Sequence, residues 1–211
     1  MAPRRRKASD YARRAPAREP YDRVLIVCEG EKTEPQYFNG LRVAERLSSA
    51  NIRVTPADGS DPLSIVRFAE RLAGEYDRIY CVFDRDGHAN YDDALQRIAQ
   101  STLGQSQKLI AVPSWPCFEL WMLLHFRYST AAIVAGGGRS SGENACRELR
   151  KYMAEYQKGR AGVYRELSSK QATALKNALR LERENAETGN HNPSTRVHGL
   201  VSYLLHLKAR V

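Results

Sequence analysis

The sequence predicts an α/β protein built on a mainly parallel four-stranded sheet. Two observations carry that expectation. Short apolar runs alternate with stretches of helical periodicity through the first half of the chain. The runs also lack the polar alternation of strands with one wet face, so they read as strands covered on both sides.

The first run, Val24 to Cys28, is short and rich in β-branched residues. It feeds Glu29-Gly-Glu-Lys-Thr-Glu34, where Gly30 permits a tight turn. Thr33-Glu-Pro-Gln36 has capping-box spacing, with Pro35 in the first helical turn. The predicted helix covers about 34–48, with Tyr37, Leu41, Ala44 and Leu47 on one face. Asn51 to Thr55 predicts a second strand, stopped by Pro56.

Asp61 and Pro62 form a good N-cap and first helical position for a helix to about Ala73, closed by Gly74. A third buried strand, Arg78 to Phe83, ends in Asp84-Arg-Asp-Gly-His88. A helix over about 91–101 precedes a fourth strand, Lys108 to Val112. Pro113 and Pro116 bracket a loop, and Cys117 to Phe126 reads as an apolar helix carrying Glu119 and His125. Gly136-Gly-Gly138 with Arg139, Ser140 and Ser141 reads as a flexible link. Beyond it the pattern is helical, over about 142–157, 168–187 and 195–208, with Asn192-Pro-Ser-Thr195 starting the last helix.

Composition narrows the class. The chain has 211 residues, 42% hydrophobic and 27% charged, which suits one globular domain or a domain with an appended lobe. No apolar run reaches the roughly 20 residues of a membrane span. The N-terminal residues lack the apolar centre of a secretory signal, so a cytoplasmic protein without membrane contact is expected. Cys28, Cys81, Cys117 and Cys146 show no Cys-x-x-Cys pairing and are expected to be reduced thiols. Residues 1–20 hold seven Arg or Lys and two acids, a net of +5 within the chain's +9. That stretch is expected to be a disordered basic tail. It is either a nucleic-acid contact through phosphate neutralisation or a solvated leader without a role.

The chemistry centres on Glu29, Asp84 and Asp86. Strands one and three are neighbours in a 2-1-3-4 sheet, and ligands bind at the carboxyl edge between them. Three carboxylates meeting there repel unless a cation joins them. Hard oxygen donors of that kind suit Mg²⁺ or Mn²⁺. The bland competitor is a set of turn-forming and capping acids. Glu31 and Lys32 share the first turn, and Lys32 is either a phosphate partner or a solvated lysine. His88 is open as base, ligand, hydrogen-bond donor or idle turn residue. Glu119 interrupts an apolar helix, so it is either an additional ligand or a first-turn charge facing the helix dipole. His125 lies off that face and reads as a packed histidine. Trp115 and Trp121 read as core or rim.

Val24 to Glu34 together with Phe83-Asp-Arg-Asp-Gly-His88 resembles a Toprim domain. The wider pattern is similar to the RloB-like family of bacterial phage-defence and abortive-infection proteins. Pro116-Cys-Phe-Glu-Leu-Trp121, then Leu123-Leu-His125, and Asn192 to Thr195 carry that likeness, which touches most of residues 23–205. The resemblance implies a Toprim-like core over 21–126, a linker over 127–141 and a helical C-terminal region over 142–211 packing on the core. It implies Glu29 as metal ligand or general acid–base, and Asp84 and Asp86 as metal ligands. The expected function is Mg²⁺-dependent hydrolysis of DNA or RNA phosphodiesters in anti-phage defence.

The alternative is a non-catalytic or partner-activated nucleic-acid-binding subunit of an ATPase-containing complex, as the resemblance also implies. The chain has no Gly-x-x-x-x-Gly-Lys-Ser/Thr loop of its own. A third reading gives all nucleic-acid binding to the tail. It expects deletion of residues 1–20 to abolish binding and Mg²⁺ to leave the melting temperature unchanged. A metal-dependent rise in melting temperature that disappears in Asp84→Ala rules that reading out.

Overall fold

A computed structural model of the chain describes residues 22–85, 87–104 and 107–208. The basic tail over 1–20 and Asp86 lie outside the described residues. The first strand, β1 (Val24–Cys28), is completely buried along its length. Helix α1 (Thr33–Ala44) leads to β2 (Ile52–Pro56), and α2 (Pro62–Leu72) leads to β3 (Arg78–Asp84). Helix α3 (Tyr91–Ala99) leads to β4 (Lys108–Trp115). These four strands are parallel, with β1 between β2 and β3 and β4 outside β3. Expected and observed order agree through β4.

The alternation of side chains along each strand divides the interior in two. Val24, Ile26 and Cys28 of β1 join Tyr80 and Val82 of β3 on one face. That face is covered by α1 and by the C-terminal helices α4 (Glu119–Leu123), α5 (Ser141–Arg150), α6 (Val163–Leu167), α7 (Gln171–Thr188) and α8 (Val197–Lys208). Leu25, Val27, Ile79, Cys81 and Phe83 point the other way, against α2 and α3. Asp61 caps α2, its side chain accepting from the Ser64 N–H at 3.0 Å, as the sequence predicts. All four cysteines are buried and unpaired.

The sheet differs from expectation at its β4 edge. Asn192 to Thr195 does not start the last helix. Instead β5 (Ser194–Thr195) pairs antiparallel with Ser114 and Trp115, making a fifth strand. The Ser114 and Thr195 hydroxyls lie 2.9 Å apart in the interior, and Thr195 Oγ1 also accepts from Val197 N–H, where α8 begins. Strand β4 runs through Pro113 because that residue needs only its carbonyl, which accepts from the Arg196 N–H at 2.9 Å. Asn192 clamps Ile133 through both its amide oxygen and its amide nitrogen, so the segment after α4 is tied to β5. Ser140 and Glu143 then form a capping box on α5.

The helix predicted over 117–126 is shorter, and its side chains explain why it docks firmly. The Trp121 indole N–H donates to the Tyr37 hydroxyl at 2.7 Å. That hydroxyl donates to Gln171 Oε1 at 3.4 Å, linking α4, α1 and α7 in the core. His125 is buried, with Nδ1 on the Trp121 carbonyl, and burial pushes its pKa down to about 4. It is a packed, neutral histidine. Tyr37→Phe leaves the Trp121 and Gln171 groups unpaired in the interior. The expected cost is about 1–3 kcal/mol of unfolding free energy in denaturant titration, with an unchanged far-UV spectrum.

Candidate functional site

A pocket of about 370 Å³ opens at the carboxyl ends of β1 and β3. It is lined by five acids, Glu29, Glu31, Glu34, Asp84 and Glu119, and by two lysines, Lys32 and Lys158. This is where an open parallel sheet places its ligands. Glu29 leaves β1 with its N–H on the Val82 carbonyl at 2.9 Å. Its Oε2 accepts from the Asp84 N–H at 2.8 Å, so the two strand ends are stitched together by the predicted pair of acids. His88 Nε2 stands 3.6 Å from Glu29 Oε1.

Glu119 opens α4 and is 1% exposed, facing the pocket floor. It accepts from the Tyr156 hydroxyl at 2.9 Å and lies 3.8 Å from Lys158 Nζ. Glu31 and Lys32 are exposed at the pocket mouth. Of the predicted residues, Glu29, Glu31, Lys32, Asp84 and Glu119 therefore meet around one cavity. His88 stands beside it through Glu29, and Asp86 lies outside the described residues.

Two functional residues escape sequence reasoning. Glu34, in the first turn of α1, is only 6% exposed and lines the pocket. The predicted capping box at Thr33 and Gln36 does not form. The Thr33 hydroxyl instead accepts from the Gly159 N–H at 2.9 Å. That bond clamps the loop carrying Lys158 against the turn carrying Glu31 and Lys32. Gly159 permits it, since it has φ 75° and an added Cβ would stand 2.8 Å from Lys32 Cβ. Gly30 also differs from expectation. Its φ is not positive, and what it needs is the absence of a side chain, because a Cβ would lie 2.3 Å from Glu34 Oε2. Gly30, two residues after β1, gave the one legible signal for Glu34, an acid about one helical turn beyond it. Lys158 had none, being brought in by the tertiary fold alone.

The electrostatics follow from burial and crowding. Burial, then the Glu119 and Glu29 charges, pushes Glu34 up to about 7, against the pull of Lys158. Burial, then Glu34, Glu29 and Glu119, holds Asp84 well above the usual carboxylate range. Burial opposes the Lys158 charge, and Glu119 more than restores it, so the ammonium is held above its usual pKa. The donors are hard oxygens with more negative charge than the lysines offset, which fits a hard divalent cation. Among the described residues no three His, Cys, Asp or Glu side chains close on one ion, so the fit rests on donor chemistry and charge.

A family model described as RloB-like protein matches residues 24–204. The chain belongs to the RloB-like protein family. That match covers the whole sheet and the helices through most of α8, so every pocket residue of this RloB-like protein lies inside it. No curated protein and no solved structure matches the chain. Among the described residues no helix is long and apolar enough to cross a membrane.

A raised acid pKa makes Glu34 a liability at high pH. Its folded value near 7 lies above the ordinary 4.5 of a glutamate, so its contribution is complete below about 4.5 and is lost as pH rises through 7. In EDTA, Glu34→Gln should be more stable than the parent at pH 8, by up to roughly 3 kcal/mol, and the advantage should vanish near pH 4. Denaturant midpoints across that range check the sign. Gly30→Ala should displace Glu34 and lower the melting temperature at every pH.

Proposed function

We propose that this RloB-like protein is a divalent-cation-dependent phosphodiesterase of Toprim type, acting on DNA or RNA in defence against phage. The observation that carries the reading is the gathering of Glu29, Glu34, Asp84 and Glu119, from three separate chain segments, around one pocket at the carboxyl edge of the sheet. Buried like charges of this number cost several kcal/mol unless protons or a cation neutralise them, so the arrangement suits a group that takes up cations.

Glu29, Asp84 and Glu119 would hold Mg²⁺ or Mn²⁺, with Asp86 following Asp84 in the chain. A bound divalent cation supplies charge neutralisation and polarisation of a phosphoryl oxygen. The protein's own groups do the rest. Glu29 is oriented by the Asp84 N–H, and His88 stands close enough to exchange a proton with it through a small shift. Glu34, with a pKa near neutrality, can hold and release a proton beside the reacting phosphate. Lys158 and Lys32 present compact positive charge to phosphate oxygens at the mouth.

A second reading keeps this site and makes its activity depend on a partner ATPase. It is favoured by the fact that the described side chains do not close on one ion unaided. Co-purification of an ATPase, with cleavage only in its presence, would select it.

Purified protein should cleave DNA, tRNA or other RNA in Mg²⁺ or Mn²⁺ and not in EDTA. Asp84→Asn and Glu29→Gln should each lower the rate at least about 100-fold while remaining folded. Mg²⁺ should raise the melting temperature of the parent and not of Asp84→Asn. Cleavage indifferent to chelation and to both substitutions would falsify the assignment.

A further inference from the structure

A second cavity, of about 350 Å³, lies at the other side of the same sheet edge, between the end of β3, β5 and α7. Its basic groups are Arg85, Arg196 and His191, and its acid is Glu182. Glu182 is already engaged, ion-paired with Arg196 and 2.8 Å from His198 Nε2. Arg85 has no carboxylate partner among the described residues. Its guanidinium lies 4.1 Å from the Trp115 ring centre and 4.7 Å from that of Tyr91. A guanidinium held by aromatic faces keeps its edge N–H groups for an oxyanion that accepts two of them together, as a phosphate does. Arg85, Tyr91 and Arg196 line the same cavity, so both cations face one space.

The position of the cavity adds to its chemistry. Arg85 directly follows Asp84, and adjacent residues at a strand end point to opposite faces. Asp84 therefore turns into the acidic pocket and Arg85 into the basic cavity. Trp115 makes the same bridge from the other strand, since its chain continues through Pro116 to Glu119. The volume is at the small end for ligand pockets and admits one nucleotide unit, not a duplex.

We propose that this cavity is a phosphate-recognition subsite for one nucleotide, with Arg85 as its anion-binding group and Arg196 offsetting the Glu182 charge beside it. It goes beyond the hydrolytic reading and is measured without it, because binding here needs no divalent cation. The ligand is a nucleotide within a single strand or a free nucleotide, and the two share the same phosphate chemistry.

The test uses the full chain in EDTA near physiological salt, with a fluorescein-labelled single-stranded tetranucleotide as probe. The basic tail adds a sequence-blind, salt-dependent contribution common to all variants, so ratios of affinity are compared. Arg85→Gln and Arg196→Gln should each weaken binding about tenfold or more, the first by losing a charge-assisted contact and the second by leaving the Glu182 charge uncompensated in the cavity. Arg85→Lys should weaken it as well, because a point charge lacks the stacked fork. Arg165→Gln, on the exposed face of α6, should bind as tightly as the parent. Thermal melts confirm folding, and if Arg85→Gln unfolds, Arg85→Lys and Arg196→Gln carry the comparison. Competition by AMP would identify a free nucleotide as sufficient, and competition by unlabelled oligonucleotide alone would identify the strand. Parent-like affinity in both Arg85→Lys and Arg196→Gln, or inorganic phosphate competing as well as AMP and oligonucleotide, would overturn the proposal.

Discussion

Repulsion among carboxyl groups at one sheet edge is the constraint on which the rest of this molecule depends. Glu34 and Glu119 are almost wholly enclosed, and Asp84 and Glu29 stand beside them. Such a set cannot all be ionised in a low-dielectric pocket without compensation. The protein answers by raising the Glu34 and Asp84 carboxyls toward their protonated forms and by setting the Lys158 ammonium beside Glu119. Each answer has a structural consequence. The protons make stability depend on pH near neutrality, and the ammonium requires a loop from the C-terminal half to reach the mouth of a pocket built by the N-terminal half.

That reach is organised by small features. The Thr33 hydroxyl, not needed as a helix cap, fastens the Gly159 amide, and Gly159 lets the loop approach Lys32 closely. Gly30 leaves room for the Glu34 carboxylate over the turn after β1. Behind them, the Trp121–Tyr37–Gln171 chain of hydrogen bonds fixes α4 against α1 and α7, and so fixes Glu119 at its N-terminus. The C-terminal helices are thus part of the site and not an appendage beside it.

Two cavities of opposite charge share the carboxyl edge. One is acidic, on the face of the sheet covered by α1 and the C-terminal helices. The other is basic and aromatic, around Arg85 and β5. The adjacent residues Asp84 and Arg85 enter the acidic pocket and the basic cavity respectively, so opposite charges stand side by side at the end of β3. Under the proposed function the two would divide the work on a polyanion, with charge neutralisation on one side and positioning on the other.

Much of the frame was legible in the sequence. Short apolar runs such as Val24 to Cys28, rich in β-branched residues, suit a parallel strand covered on both faces, and acids following two of them mark the carboxyl edge. Glu29 and Asp84 were visible for that reason, and Glu119 because a carboxylate inside an apolar helix is locally expensive. The fifth strand was not legible, since Asn192-Pro-Ser-Thr195 carries helix-start chemistry and pairs with β4 only because the chain returns beside Ser114. Glu34 looked like an ordinary first-turn acid, and Lys158 like one lysine among many. Local sequence by itself determined the four parallel strands and the acids at the ends of β1 and β3, because those depend on hydrophobic period and turn chemistry. Only the tertiary structure decided which charges face one another, because that depends on contacts between residues more than a hundred positions apart.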